Sequence, residues 1–145
     1  MENNHDQTDA GKLMSELFAA LDLGSNSFRL LLVRRQGDDL HTLEMAKEKV
    51  QLLGGFRNGR LADAAVERGL SCLRRFAQRL RTVPPDHLRM VGTHALREAA
   101  NRDDFVAQAE RIVGTRLAIV SGAEEARLIY AGVAHRASFH GDGSR

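Results

Sequence analysis

Asp22-Leu23-Gly24-Ser25-Asn26-Ser27 joins a carboxylate to a run of small, hydrogen-bonding residues. A turn of this composition can aim backbone N–H groups at an anion, because Gly24 lets the chain bend and leaves room for close approach. Ser25 and Asn26 add side-chain donors. Asp22 is suited to a Mg²⁺ ion, or to a water that itself holds a phosphate oxygen. A plain hairpin turn uses the same residue types, so both readings stand at this level. Two others fail. No Gly-Lys-Ser/Thr follows, as a Walker loop requires, and a nucleophilic Ser25 would need Gly-x-Ser-x-Gly on a strand-to-helix turn, whereas this turn joins two strands.

Gly92-Thr93-His94-Ala95-Leu96-Arg97-Glu98 is the second cluster. Thr93 is a natural N-cap, and a helix that begins where a parallel strand ends attracts anions, at roughly 0.3–1 kcal/mol per favourable charge. Arg97, one turn in, can lay its fork on an oxyanion or serve as a solvated or salt-bridged arginine, and His94 reads as a polar loop residue rather than a base. In the third cluster, Ser121-Gly122-Ala123-Glu124-Glu125-Ala126-Arg127-Leu128, two acidic residues enter a helix. Either would complement the positive helix end in any protein. Adjacent helical residues point about 100° apart, so only one can face a cleft, where it would orient and deprotonate a water, a role worth about 10²–10⁴ in rate.

The elements that must hold these clusters can be read from periodicity. Leu17 to Leu23 is a short apolar run before the Gly24-Ser25-Asn26 turn, Ser27 to Arg35 continues extended, and Gln36-Gly37-Asp38-Asp39 separates it from a third extended stretch, Leu40 to about Leu52. Short turns make these three strands antiparallel. From Ala62 to Arg81 the period becomes helical, with Val66, Leu70, Leu73, Phe76, Ala77 and Leu80 on one face and Asp63 as N-cap candidate. Pro84-Pro85 ends that helix. Leu88 to Val91 is a buried strand, Ala95 to Val113 is helical with a break near Asn101-Arg102-Asp103, and Gly114 suits the C′ position. Arg116 to Val120 is a fifth strand and Ala123 to about Ala137 a last helix, with Ala126, Ile129, Tyr130 and Val133 inward.

The order βββαβαβα, with strands four and five reached by helical crossovers and so parallel to the first, gives a mixed α/β sheet with helices packed on it. That topology is the ribonuclease-H-like half of an actin-like ATPase fold. Residues 1–16 read as a disordered N-terminal tail, 17–137 as one folded unit and 138–145 as a polar tail.

Composition bounds the function. The 145 residues suffice for one domain, and 43% hydrophobic with 28% charged content is that of an ordinary globule. No run of eighteen apolar residues offers a transmembrane segment. Cys72 stands alone, so no internal disulfide forms, and with no export signal a reducing cytoplasmic setting is expected. The 18 arginines against 3 lysines suit oxyanion ligands, or reflect arginine codon choice on solvated faces. A nucleic-acid surface built on Arg68, Arg74, Arg75, Arg79 and Arg81 is disfavoured: they form the polar face of one helix, without interleaved aromatics to stack bases.

Taken in order, Asp22-Leu23-Gly24-Ser25-Asn26-Ser27-Phe28, Gly92-Thr93-His94-Ala95-Leu96-Arg97 and Ser121-Gly122-Ala123-Glu124-Glu125-Ala126-Arg127-Leu128-Ile129 resemble the exopolyphosphatase / guanosine pentaphosphate phosphohydrolase (Ppx/GppA) family. The likeness runs from about Phe18 to His135 and takes in Lys49-Val50-Gln51-Leu52 and Arg68-Gly69-Leu70-Ser71-Cys72-Leu73. It implies an actin-like fold of two lobes closing on a phosphate chain, with Mg²⁺ and a water cleaving the terminal phosphoanhydride. By position, Gly24, Ser25 and Asn26 would form the first phosphate loop, Thr93 and Arg97 would bind substrate, Asp22 would serve the metal and Glu125 would be the catalytic glutamate. Inorganic polyphosphate is the expected substrate and guanosine pentaphosphate the alternative, with a non-catalytic polyphosphate-binding module as a third reading. The family continues into Asp-Ile-Gly-Gly-Gly-Ser-x-Glu, which this sequence does not contain. The chain therefore reads as the N-terminal lobe, inactive alone, of a parent expected to be a homodimer.

Overall fold

β1 (Ser15–Leu23), β2 (Ser27–Gln36) and β3 (Asp39–Lys49) form an antiparallel meander, as their short connections require. β4 (Leu88–Gly92) joins the other side of β1 in parallel, and β5 (Leu117–Ile119) pairs parallel to β4. The resulting sheet has the order β3-β2-β1-β4-β5, with the mixed pairing expected from the crossovers. The computed structural model describes residues 15–119; the expected last helix, Ala123 to Ala137, and Glu125 lie outside them. Among the described residues no helix is long and apolar enough to cross a membrane.

Side chains alternate across this sheet. Ala19, Leu21, Leu23, Phe28, Leu30, Leu32, Leu88 and Met90 face one side and belong to the main core. Two helices close that side: α1 (Asp63–Arg79), through Leu70, Leu73 and Phe76, and α3 (Arg102–Val113), through Phe105 and Ala109. α1 lies close to its neighbours because residue 69 is glycine. A Cβ there would stand 3.2 Å from the Phe105 ring and 3.3 Å from the Phe28 ring. Gly114 ends α3 in the left-handed conformation expected of a C′ glycine, with φ of 86°.

Several boundaries differ from the sequence expectation, each for a local reason. β1 begins at Ser15, two residues before the apolar run. Asp63 is the first helical residue rather than the N-cap. The cap position is Ala62, which makes no side-chain bond, and Asp63 instead complements the positive end of α1. The Ala95–Val113 helix is two pieces, a single turn α2 (His94–Arg97) and α3. Its break near Asn101 has a physical anchor. The Asn101 amide accepts from Leu61 N at 2.9 Å and donates to Leu61 O at 3.1 Å, binding the break to the loop that precedes α1.

β3 stops at Lys49 rather than Leu52. Gln51 takes a positive φ of 52°, a conformation costing a non-glycine residue roughly 1 kcal/mol, and so turns the chain under the β1–β2 connection.

Candidate functional site

The β1–β2 connection is built from behind. Val50 N and Gln51 N both donate to Asn26 O, at 2.9 and 2.8 Å, and Leu52 N donates to Ser25 O at 2.8 Å. From α1, Arg68 donates to Val50 O at 2.8 Å and to Gln51 O at 2.9 Å. The Ser25 and Asn26 carbonyls are thus committed to the segment beneath. No described residue accepts from the backbone N–H groups of Ser25 or Asn26. A pair of unused amide donors fixed in this way is suited to an anion.

Gly24 has a different role from the one its residue type suggests. Its N–H is used, donating to Ser27 O at 3.0 Å, so it is not a donor to the cleft. What glycine supplies is space: a Cβ at residue 24 would lie 2.9 Å from Ser27 O, too close for the turn to persist.

Gly24, Ser25, Asn26 and Ser27 line an open cleft of about 410 Å³ together with Asp22, Thr93, Arg29 and Lys47. The cleft lies at the carboxyl ends of β1 and β4, on the sheet side away from α1 and α3. Asp22 is 5% exposed, and its Oδ2 accepts from Arg29 at 2.8 Å. Its Oδ1 is buried without a partner among the described residues. Thr93, also 5% exposed, leaves its hydroxyl equally unpartnered, so it does not cap α2 as its type suggests. Two such polar atoms beside two unused amide donors are suited to a polar ligand, since atoms of this kind cost about 1–3 kcal/mol each when left unsatisfied.

Arg97 lies elsewhere at the same end of the sheet. It is exposed and directs Nη2 to Ile119 O of β5 at 3.4 Å, so it does not line the cleft that holds Ser25 and Thr93. A one-turn α2 also supplies little helix dipole, which removes most of the anion attraction expected at Thr93 from a long helix. Among the described residues Asp22 is the one carboxylate that lines the cleft. Among the described residues no group of three His, Cys, Asp or Glu side chains could hold a metal ion. A single carboxylate oxygen still fits Mg²⁺, which keeps several waters and shares its shell with phosphate oxygens.

Two cleft residues escape a reading by motif. Arg29 and Lys47 are there because of register: Asp22 pairs with Arg29 across β1–β2, and Arg29 with Lys47 across β2–β3. Their odd-numbered positions in the two strands are the available signal, informative only once the pairing is known. Arg68, on the polar face of α1, holds the loop. Arg74, Arg75 and Arg79 pair with Glu67, Glu48 and Glu44.

Comparison with known proteins agrees with this fold. The chain is similar to the solved structure of an exopolyphosphatase-like protein, at 37% identity and TM-score 0.69 over 79% of this chain and 36% of that one. It is similar to an exopolyphosphatase from Cytophaga hutchinsonii, at 31% identity and TM-score 0.69 over 81% and 38%. The Aquifex aeolicus Ppx/GppA member, at 24% identity, shares the fold with a TM-score of 0.70 over 82% and 39%. The chain therefore spans little more than a third of these proteins, and its sheet and helices are those of their ribonuclease-H-like, actin-like ATPase fold. The Ppx/GppA phosphatase family matches residues 31–143, and the chain belongs to that family.

Proposed function

We propose that residues 17–137 form the phosphate-binding lobe of a hydrolase that cleaves terminal phosphoanhydride bonds of inorganic polyphosphate. The observation that carries this reading is the unused donor pair of Ser25 and Asn26 beside the orphaned Asp22 Oδ1 and Thr93 hydroxyl. Together they suit a phosphate group with a cation at its edge. The 31% identity to an exopolyphosphatase from Cytophaga hutchinsonii supports polyphosphate, rather than guanosine pentaphosphate, as the substrate of this chain's parent.

In this reading the Ser25 and Asn26 amides grip the terminal phosphate, and the Thr93 hydroxyl donates to one of its oxygens. Asp22 Oδ1 would hold Mg²⁺, which supplies charge neutralisation of the phosphate oxygens. Arg97, exposed at the same end of the sheet, would grip phosphates beyond the cleft, and Glu125 would orient and deprotonate the attacking water. Positioning and charge stabilisation supply most of the acceleration in such phosphoryl transfers. The complete protein would act in the cytoplasm as a homodimer.

The test is phosphate release from long-chain polyphosphate and from guanosine pentaphosphate, with Mg²⁺, by a family-length protein carrying this segment. Polyphosphate should be the better substrate, and Glu125→Gln should cut turnover by about 10²–10⁴ while leaving polyphosphate binding intact. Binding without turnover in the parent itself would identify a non-catalytic polyphosphate-binding module.

A further inference from the structure

β3 carries a cation for which the phosphate loop alone has no use. Lys47 lines the cleft, yet it lies on the edge strand, two strand spacings or about 9.6 Å from β1. Register sets it directly opposite Arg29, so two like charges face each other across β2–β3 on one side of the sheet. Directly opposed like charges are destabilising. Arg29 is compensated by Asp22, whereas Lys47 makes no ion pair with any described residue. Its neighbours behave otherwise: Glu44 and Glu48, on the opposite side of the same strand, are both matched by arginines of α1.

An exposed cation set beside another cation, in a cleft with two unused amide donors, suits a second anionic group. We infer that Lys47 forms a separate subsite for a phosphate further along the substrate chain than the one held by Ser25 and Asn26. This inference rests on the reading of the cleft as a phosphate site. It narrows the ligand to one with several consecutive phosphates, since a lone phosphate seated on the loop would leave Lys47 unused. Row order supports this direction of travel: the loop, then Arg29, then Lys47, leading outward across β2 and β3.

The experiment compares orthophosphate and tripolyphosphate binding to the chain by calorimetry. Lys47→Met should weaken tripolyphosphate about tenfold and leave orthophosphate within about twofold, and Lys47→Arg should restore most of the loss. The Met variant should melt at the same temperature as the parent or higher, because Arg29 no longer faces a like charge. Unchanged tripolyphosphate affinity in a folded Lys47→Met chain overturns the inference alone. Equal losses for both ligands also overturn it, placing Lys47 at the loop-bound phosphate. If the unaltered chain binds neither ligand, the phosphate reading of the cleft fails first and the Lys47 subsite goes with it.

Discussion

The two sides of β3 are built on opposite rules. Toward α1, Glu44 and Glu48 meet Arg79 and Arg75, and Arg75 donates two bonds to the Glu48 carboxylate. Toward the cleft, Lys47 opposes Arg29, and the nearby Asp22 Oδ1 and Thr93 hydroxyl have no partner among the described residues. One strand thus separates a side where polar groups satisfy one another from a side where they are held ready for something else. On the proposed reading stability is concentrated on the first side and binding capacity on the second, the pattern expected where local rules are broken for function and compensated nearby.

The sharpest way to break this contrast is Arg68→Ala, because Arg68 links the satisfied side to the loop through two charge-assisted bonds. It should cost about 2 kcal/mol in urea unfolding and weaken orthophosphate about tenfold, since the segment holding the Ser25 and Asn26 carbonyls loses its support. Lysine at this position should not restore either, having no fork to reach both carbonyls.

Cys72 probes the satisfied side next. Burial, helped by the adjacent Glu48 carboxylate, pushes its thiol up to about 12. Below about pH 9 folded and unfolded chains are both protonated there. Above it the unfolded chain loses the proton first, so stability should fall with pH between about 9 and 12, by at most about 1.4 kcal/mol per pH unit. Cys72→Ala should remove that alkaline slope, and native Cys72 should resist iodoacetamide at pH 8.

On the open side the sign reverses. Thr93→Val keeps the shape and removes an unsatisfied hydroxyl, so it should raise stability by about 1 kcal/mol while weakening phosphate binding. A loss of stability would show that the hydroxyl has a partner after all.

The smallest effect belongs to Glu48→Gln. The Arg75 guanidinium holds the Glu48 carboxyl below its ordinary range, so the pair contributes above about pH 4.5 and is lost as pH falls through the lowered value. For a pair this exposed the contribution is at most about 1 kcal/mol. The variant should therefore show a shallower acid limb in a stability titration.

Periodicity carries the fold a long way. The meander, the amphipathic face of α1, the parallel crossovers and the Gly114 stop follow from apolar spacing and turn residues, which act locally. The site was legible where composition mattered, at Asp22, Ser25, Asn26 and Thr93, and obscure where geometry did. Arg29 and Lys47 are brought together by cross-strand register, which no short stretch encodes. Arg68 lies on a helical face that looks solvated until the turn at Gln51 brings two carbonyls to it. Gly24 was legible as a loop residue, but its donor proved to be consumed inside the turn.

The loop tied from beneath has a consequence for exchange with solvent deuterium. The amides of Val50, Gln51 and Leu52 are locked by bonds that persist whether or not a ligand is present, so they should exchange slowly in the empty protein. Those of Ser25 and Asn26 should exchange fast until an anion arrives and then slow sharply. Filling this receptor would register as protection at two positions rather than as ordering of a segment, because the receptor's shape is already set during folding.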